Sequence, residues 1–135
     1  MSDHSVEIRK AVITKLKGAG AVAAIVAARV HDEVPAEPTW PFIRYGLADL
    51  APYATSCADG SDHEITIHTF SKGAGSGAIG ALNAAVVTAL DDAELDLGAL
   101  GFYGIDWLGT QVMPDGAEKS AYHGIIRFAA RTLDN

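Results

Sequence analysis

The chain has 135 residues, is 49% hydrophobic, and carries ten Lys and Arg against seventeen Asp and Glu, for a formal net charge of −7. That length suits one globular domain, able to bury about two-thirds of its unfolded surface. The acidic balance argues against non-specific binding to nucleic acid or an anionic membrane, both of which need clustered cations. The single cysteine, Cys57, leaves no intrachain disulfide.

In chain order, Ser5 is the expected N-cap of a first helix whose apolar residues Ile8, Val12, Ile13 and Leu16 recur at helical spacing. Arg9, Lys10, Lys15 and Lys17 ahead of an Ala/Gly run imitate a signal peptide. Asp3 and Glu7 sit in the would-be basic region, so none is expected. Gly18 and Gly20 break the helix, and residues 21–28 read as a small apolar helical turn. Residues 29–41 hold three prolines and read as a loop. Residues 42–50 alternate as a strand, with Ile43, Tyr45 and Leu47 on one face. Residues 51–62 read as a polar connection with a turn at Asp59-Gly60. Residues 63–71 alternate again, with Ile65 and Ile67 opposite Glu64, Thr66 and His68. These two strands are expected to pair antiparallel.

A second helix is expected over residues 76–90, with a stripe of Ile79, Leu82, Val86, Val87 and Leu90. The acidic run Asp91, Asp92, Glu94 and Asp96 ends it. Residues 101–113 read as a third strand whose glycines mark bulges. Residues 120–132 read as a fourth, with Tyr122, Ile126 and Phe128 on one face and His123, Ile125, Arg127 and Arg131 on the other. The expected architecture is α+β, order α-β-β-α-β-β, with helices on one face of a mostly antiparallel four-stranded sheet.

Several patterns invite a chemical reading. Gly75, Gly77 and Gly80 spell G-x-G-x-x-G, the loop that cradles a dinucleotide pyrophosphate. That fold needs a continuously apolar parallel strand ending at the first glycine. Here the preceding strand alternates and stops four residues short, so a mobile loop capped by Ser76 is the expectation. A nucleotide-phosphate or small-ligand module using residues 73–80 is the alternative. His63 and His68 are five apart on a strand and face opposite ways, so they cannot share a metal, and no ligand spacing is present. Nothing near Cys57 lowers its thiol pKa. Trp40 and Trp107 read as packing anchors. No catalytic residue, cofactor or metal is expected, and the chain does not read as an enzyme.

The informative feature is missing charge. From Gly73 to Leu90 there is no charged residue, so the outward side of the second helix would be Ala78, Ala81, Ala85, Thr88 and Ala89. A surface helix normally shows a polar face. Either a second copy or a partner covers these residues, or the helices pack on one another within the monomer.

The segments RVHDEVP, WPFIRYG, DGSDHEITIHTFS and LDDAELDL, then PDG followed by YHGIIRF, occur in an order that resembles the phage tail completion proteins. These tail terminator, or tail-to-head joining, proteins occur in long-tailed phages, prophages and gene transfer agents. The resemblance runs from about Val6 to Thr132; the glycine-rich residues 73–80 depart from it. It implies a structural protein assembled as a ring, typically a hexamer, at the head-proximal end of the virion tail after synthesis in the bacterial cytoplasm. The ring would cap the tail tube protein, stop polymerisation and present a surface to the head connector, or stopper, protein. DNA would pass through its pore without specific binding, as an acidic chain allows, and no membrane would be involved. The expected contacts are loops at residues 59–63, 72–76 and 114–119, through Asp59, Asp62, His63, Lys72, Ser76, Asp115 and Lys119. Ala81 and Ala85 are the expected contacts on the second helix.

Overall fold

The computed structural model describes residues 4–46, 49–54, 59–73, 75–97, 101–116 and 120–133. Helix α1 spans Ser5–Gly18 and buries Ile8, Ala11, Val12 and Leu16, the residues that fall on one side at helical spacing. His4, not Ser5, is its N-cap, and it makes no side-chain capping bond. Ala19 is extended, and α2 (Gly20–Val26) follows at once, burying Val22 and Val26.

The expected loop at residues 29–41 is partly a strand. Val30 and His31 form β1, which pairs in parallel with β2 (Phe42–Tyr45). Two residues are too few to show a period in sequence. The expected first strand also breaks after Tyr45. Gly46 donates its N–H to Thr66 O at 2.8 Å. A Cβ at Gly46 would lie 2.7 Å from that oxygen and 2.9 Å from the His68 ring, so only glycine fits. Pairing resumes in β3 (Asp49–Ala54), which runs into the expected polar connection. From Tyr45 to Asp49 the chain takes four steps while the partner takes three, Ile67 to Glu64. The extra residue separates the two strands. Cys57 and Leu47 lie outside the described residues.

The centre of the sheet is β4 (Asp59–Lys72), flanked by β2 and β3 on one side and β6 (Ala121–Leu133) on the other, with β5 (Gly101–Pro114) outermost. The order is β1-β2-β4-β6-β5, with β3 beside β2 on β4. The sheet is therefore larger than the four expected strands and mixed: β1–β2 is parallel and the other pairs are antiparallel. Three helices, not two, lie among the described residues. The α+β class and the alternation of β4 and β6 are as expected. Ile65, Ile67, Ile126 and Phe128 are fully buried and join Ile43, Tyr45 and Ile105 in one core with the helices.

Helix α3 spans Gly75–Leu90 and buries Ile79, Leu82, Asn83, Val86 and Leu90. It packs on β4, β6 and β5, while α1 and α2 cross it. A buried polar bond ties it to the sheet: Thr69 Oγ1 donates to Asn83 Oδ1 at 2.5 Å. Gly124, opposite Thr69 on β6, makes room. A Cβ there would lie 2.2 Å from Thr69 Oγ1 and 2.5 Å from Asn83 Oδ1.

Candidate functional site

The expected contact residues fall into three groups. The first, residues 59–63, is not a loop but the start of β4, paired on both sides. Successive strand residues face opposite ways. Asp62 lies on the face away from the helices, where the Arg131 fork donates to its two carboxylate oxygens at 2.5 and 3.1 Å. His63 points into the protein, is 1% exposed, and its Nε2 lies 3.2 Å from Thr132 Oγ1. His63 is therefore not an exposed loop residue as expected, because β4 begins earlier than residue 63 and turns it inward. Asp59 is placed only by its backbone, opposite Ala54.

The second group lies at the other end of β4, about 33 Å from Asp62 at the usual rise per strand residue. Lys72 ends the strand with its Nζ 5.7 Å from the centre of the Trp40 ring, within cation–π range. Gly73 follows in the left-handed region and donates its N–H to Ser120 O at 2.9 Å. That bond places the β4–α3 turn beside the β5–β6 turn, which holds Asp115. Lys72, Ser76 and Asp115 therefore gather at one end of the sheet. Lys119 lies outside the described residues. The expected loop capped by Ser76 is mostly helix: α3 begins at Gly75, and Ser76, Gly77 and Gly80 are exposed within it. A dinucleotide loop would hold its first glycine in the tight turn ahead of the helix, whereas Gly75 is already in α3.

The third group is the alanine face of α3. Ala81 and Thr88 are exposed, but Ala85 and Ala89 are partly buried and pack against the core. The uncharged residues of α3 left exposed are Gly75, Ser76, Gly77, Gly80, Ala81, Ala84 and Thr88.

A feature that residue spacing did not disclose occupies the face of the sheet turned away from the described helices. Phe42, Phe70 and His123 are cross-strand neighbours on β2, β4 and β6 and stack as a ladder. Their ring centres lie 4.7 Å apart (Phe42–Phe70) and 4.5 Å apart (Phe70–His123). Trp40 meets Phe42 edge-on at 5.0 Å. His68 continues the ladder diagonally, with its Nδ1 2.7 Å from His123 Nε2. Burial, then Arg44, then His123 push the His68 pKa down to about 4. Burial and Arg44 also lower that of His123, with Asp115 opposing. Both rings are neutral near pH 7, so one nitrogen donates and the other accepts. Trp40 is the packing anchor expected of it. Trp107 is not: it is 45% exposed on β5 beside Leu108 (54%) and Val112 (45%).

Among the described residues no group of three His, Cys, Asp or Glu could hold a metal ion, and no helix is long and apolar enough to cross a membrane. What the surface offers is contact: two strand ends with charged residues, an aromatic face and an apolar sheet edge. The model of the tail completion protein gp17 family matches residues 10–133, and the chain belongs to that family. A chain from the virion of a native gene transfer agent (GTA) particle is similar in structure, with a TM-score of 0.87 at 25% identity, covering 98% of this chain and 99% of that one. A comparison with curated proteins gives no match. Family and structural likeness together support a structural role in a virion.

Proposed function

We propose that the chain caps the head-proximal end of a tail tube as a ring of six copies, stops tube growth and offers its other rim to the head connector. The observation that carries this reading is the family match over residues 10–133, joined to a near full-length structural likeness to a virion component. The shape is compatible. A cap between two partners needs two separated contact ends, and β4 sets Asp59 and Asp62 at one end and Lys72, Ser76 and Asp115 at the other. Lys119, two residues before β6, belongs with the second group by sequence. Ala81 remains available to a neighbouring subunit, and Ala85 lies at the border of that surface. The action is mechanical: subunits occupy the tube end where the next ring of tube protein would add. DNA passes an acidic ring without being held, since tight phosphate binding needs clustered cations. The assembly forms in the bacterial cytoplasm without a membrane.

The test is tube length. Tubes grown with the chain present are expected to stop and to join heads; tubes grown without it are expected to overgrow and stay headless, as scored by electron microscopy. Tubes of normal length that join heads without this chain would overturn the reading.

A further inference from the structure

We propose that the β5 flank is the docking surface for a second copy of this chain, which approaches head to tail with the outward side of its α1. The inference rests on the ring reading above and names the surfaces that would close it.

The edge of β5 is open where natural edges are usually guarded. At its first half the turn after α3 covers it: Asp92 donates its N–H to Ile105 O, and the Trp107 N–H donates to Asp91 Oδ1, both at 2.9 Å. A register shift then falls between Trp107 and Gly109. From Gly109 to Met113 no described residue outside β6 bonds to the backbone of this edge. Three of the four large hydrophobic side chains exposed among the described residues, Trp107, Leu108 and Val112, sit here. The only charge in the whole strand is Asp106.

Charge says what fits. Residues 73–118 hold seven acids and no Lys, Arg or His, while the other ten acids are matched by all ten Lys and Arg. The entire −7 belongs to the third of the chain that forms α3 and β5. On β5 itself the one charge is Asp106, so a partner for this flank must be apolar and bring a cation. The fourth exposed hydrophobic, Val6 (56%), is on α1, which carries four cations against one acid. Val6 and Lys17, eleven residues and about three turns apart, share one side of the helix and are exposed, while Ile13 between them is partly buried against the core. Lys10 and Lys15 also face Asp91, Asp92, Glu94 and Asp96 across a cleft within the chain, while Val6 and Lys17 do not line it. Helix α1 packs on β1, the strand at the opposite edge of the sheet from β5. The two surfaces are on different elements, so each copy can use both. Such a contact repeats around a circle, whereas β5 meeting β5 would stop at a dimer.

The test uses the full chain with Cys57→Ser. A chain carrying both Val6→Cys and Leu108→Cys is expected to give, on mild oxidation, a ladder of linked chains ending in a closed species. Either cysteine alone should give none. In parallel, sedimentation should show Lys17→Glu weakening self-association about tenfold, and Asp106→Lys added to it restoring most of the loss. Dimers formed by the Leu108→Cys chain alone overturn the proposal, as does a charge swap without recovery. So does a chain that stays monomeric both free and mixed with tail tubes. Normal capping of tubes by a chain that fails these tests would sink this contact and leave the capping function standing. Closed rings that do not stop tube growth would do the reverse.

Discussion

The two faces of the sheet solve the same problem by different means. On the helix side, Ile43, Ile65, Ile67, Ile126 and Phe128 are at most 0% exposed and are covered by α1, α2 and α3. On the other side no described helix lies over the strands, and side chains cover one another: Phe42, Phe70, His123 and His68 lie along the ladder while Asp62 pairs with Arg131. Both faces carry polar groups, but under different terms. A polar group sealed from water must find its partner inside or cost the full price of desolvation. One at the open face can turn to solvent. The same kind of bond should therefore matter greatly on the first face and little on the second.

The sharpest way to break that comparison is at Gly124. It sits on the closed face between Thr69 and Asn83, whose hydrogen bond ties α3 to the sheet. Gly124→Ala forces a methyl group into space held by two polar atoms, so either the bond opens or the helix moves. Overpacking and a broken buried hydrogen bond together should destabilise by on the order of 3 kcal/mol. The check is the urea midpoint; an unchanged midpoint would mean that the helix is not held there.

That tether also marks where reading the chain stops being enough. The alternation of Ile65 with Ile67, and of Ile126 with Phe128, needs only neighbours in sequence, so both long strands were legible. The pairing of Thr69 with Asn83 crosses a turn and joins a strand to a helix, and His68 meets His123 only once the β4–β6 register is set. No local period encodes either. The break at Gly46 was hidden because alternation runs on through Leu47, while the cause is the His68 ring packed where a side chain would stand. Ala85 and Ala89 were legible as small and uncharged but not as packed against the core, since that depends on how the elements come together in space. Of the expected contact residues, His63 was expected in a loop but lies within β4 on the buried face that alternation with Ile65 gives it, whereas Lys72 and Asp115 were brought to one end by a backbone bond that residue types do not announce.

On the open face the middle-sized effect depends on pH. The His68 pKa is depressed to about 4 in the folded protein from an ordinary 6.5, and that of His123 is lowered too. Between those values the unfolded chain binds protons that the folded one refuses. The stability these rings allow is intact above pH 6.5, falls as the pH drops, and the His68 share of the loss is complete below about pH 4. Protonating both rings would also set two cations against Arg44 and break their shared bond. His68→Gln removes one titrating group and should flatten the slope of stability against pH between 6.5 and 4, as read from unfolding midpoints across that range. An unaltered slope would assign the acid sensitivity elsewhere.

The smallest effect is expected where the geometry looks strongest. Arg131 grips Asp62 with two hydrogen bonds, and side-chain exposures of 34% and 44% leave both groups in reach of water. Pairs so exposed contribute little, because solvent and salt already stabilise the separated charges. Asp62→Asn should lower stability by under about 1 kcal/mol. Its cost should shrink further in high salt, whereas that of Gly124→Ala should not change. If Asp62 also meets a partner at the tube or head rim, the substitution should impair tail completion more than it impairs folding. Comparing unfolding midpoints with the fraction of finished tails separates the two, and a loss confined to folding would remove Asp62 from the contact surface.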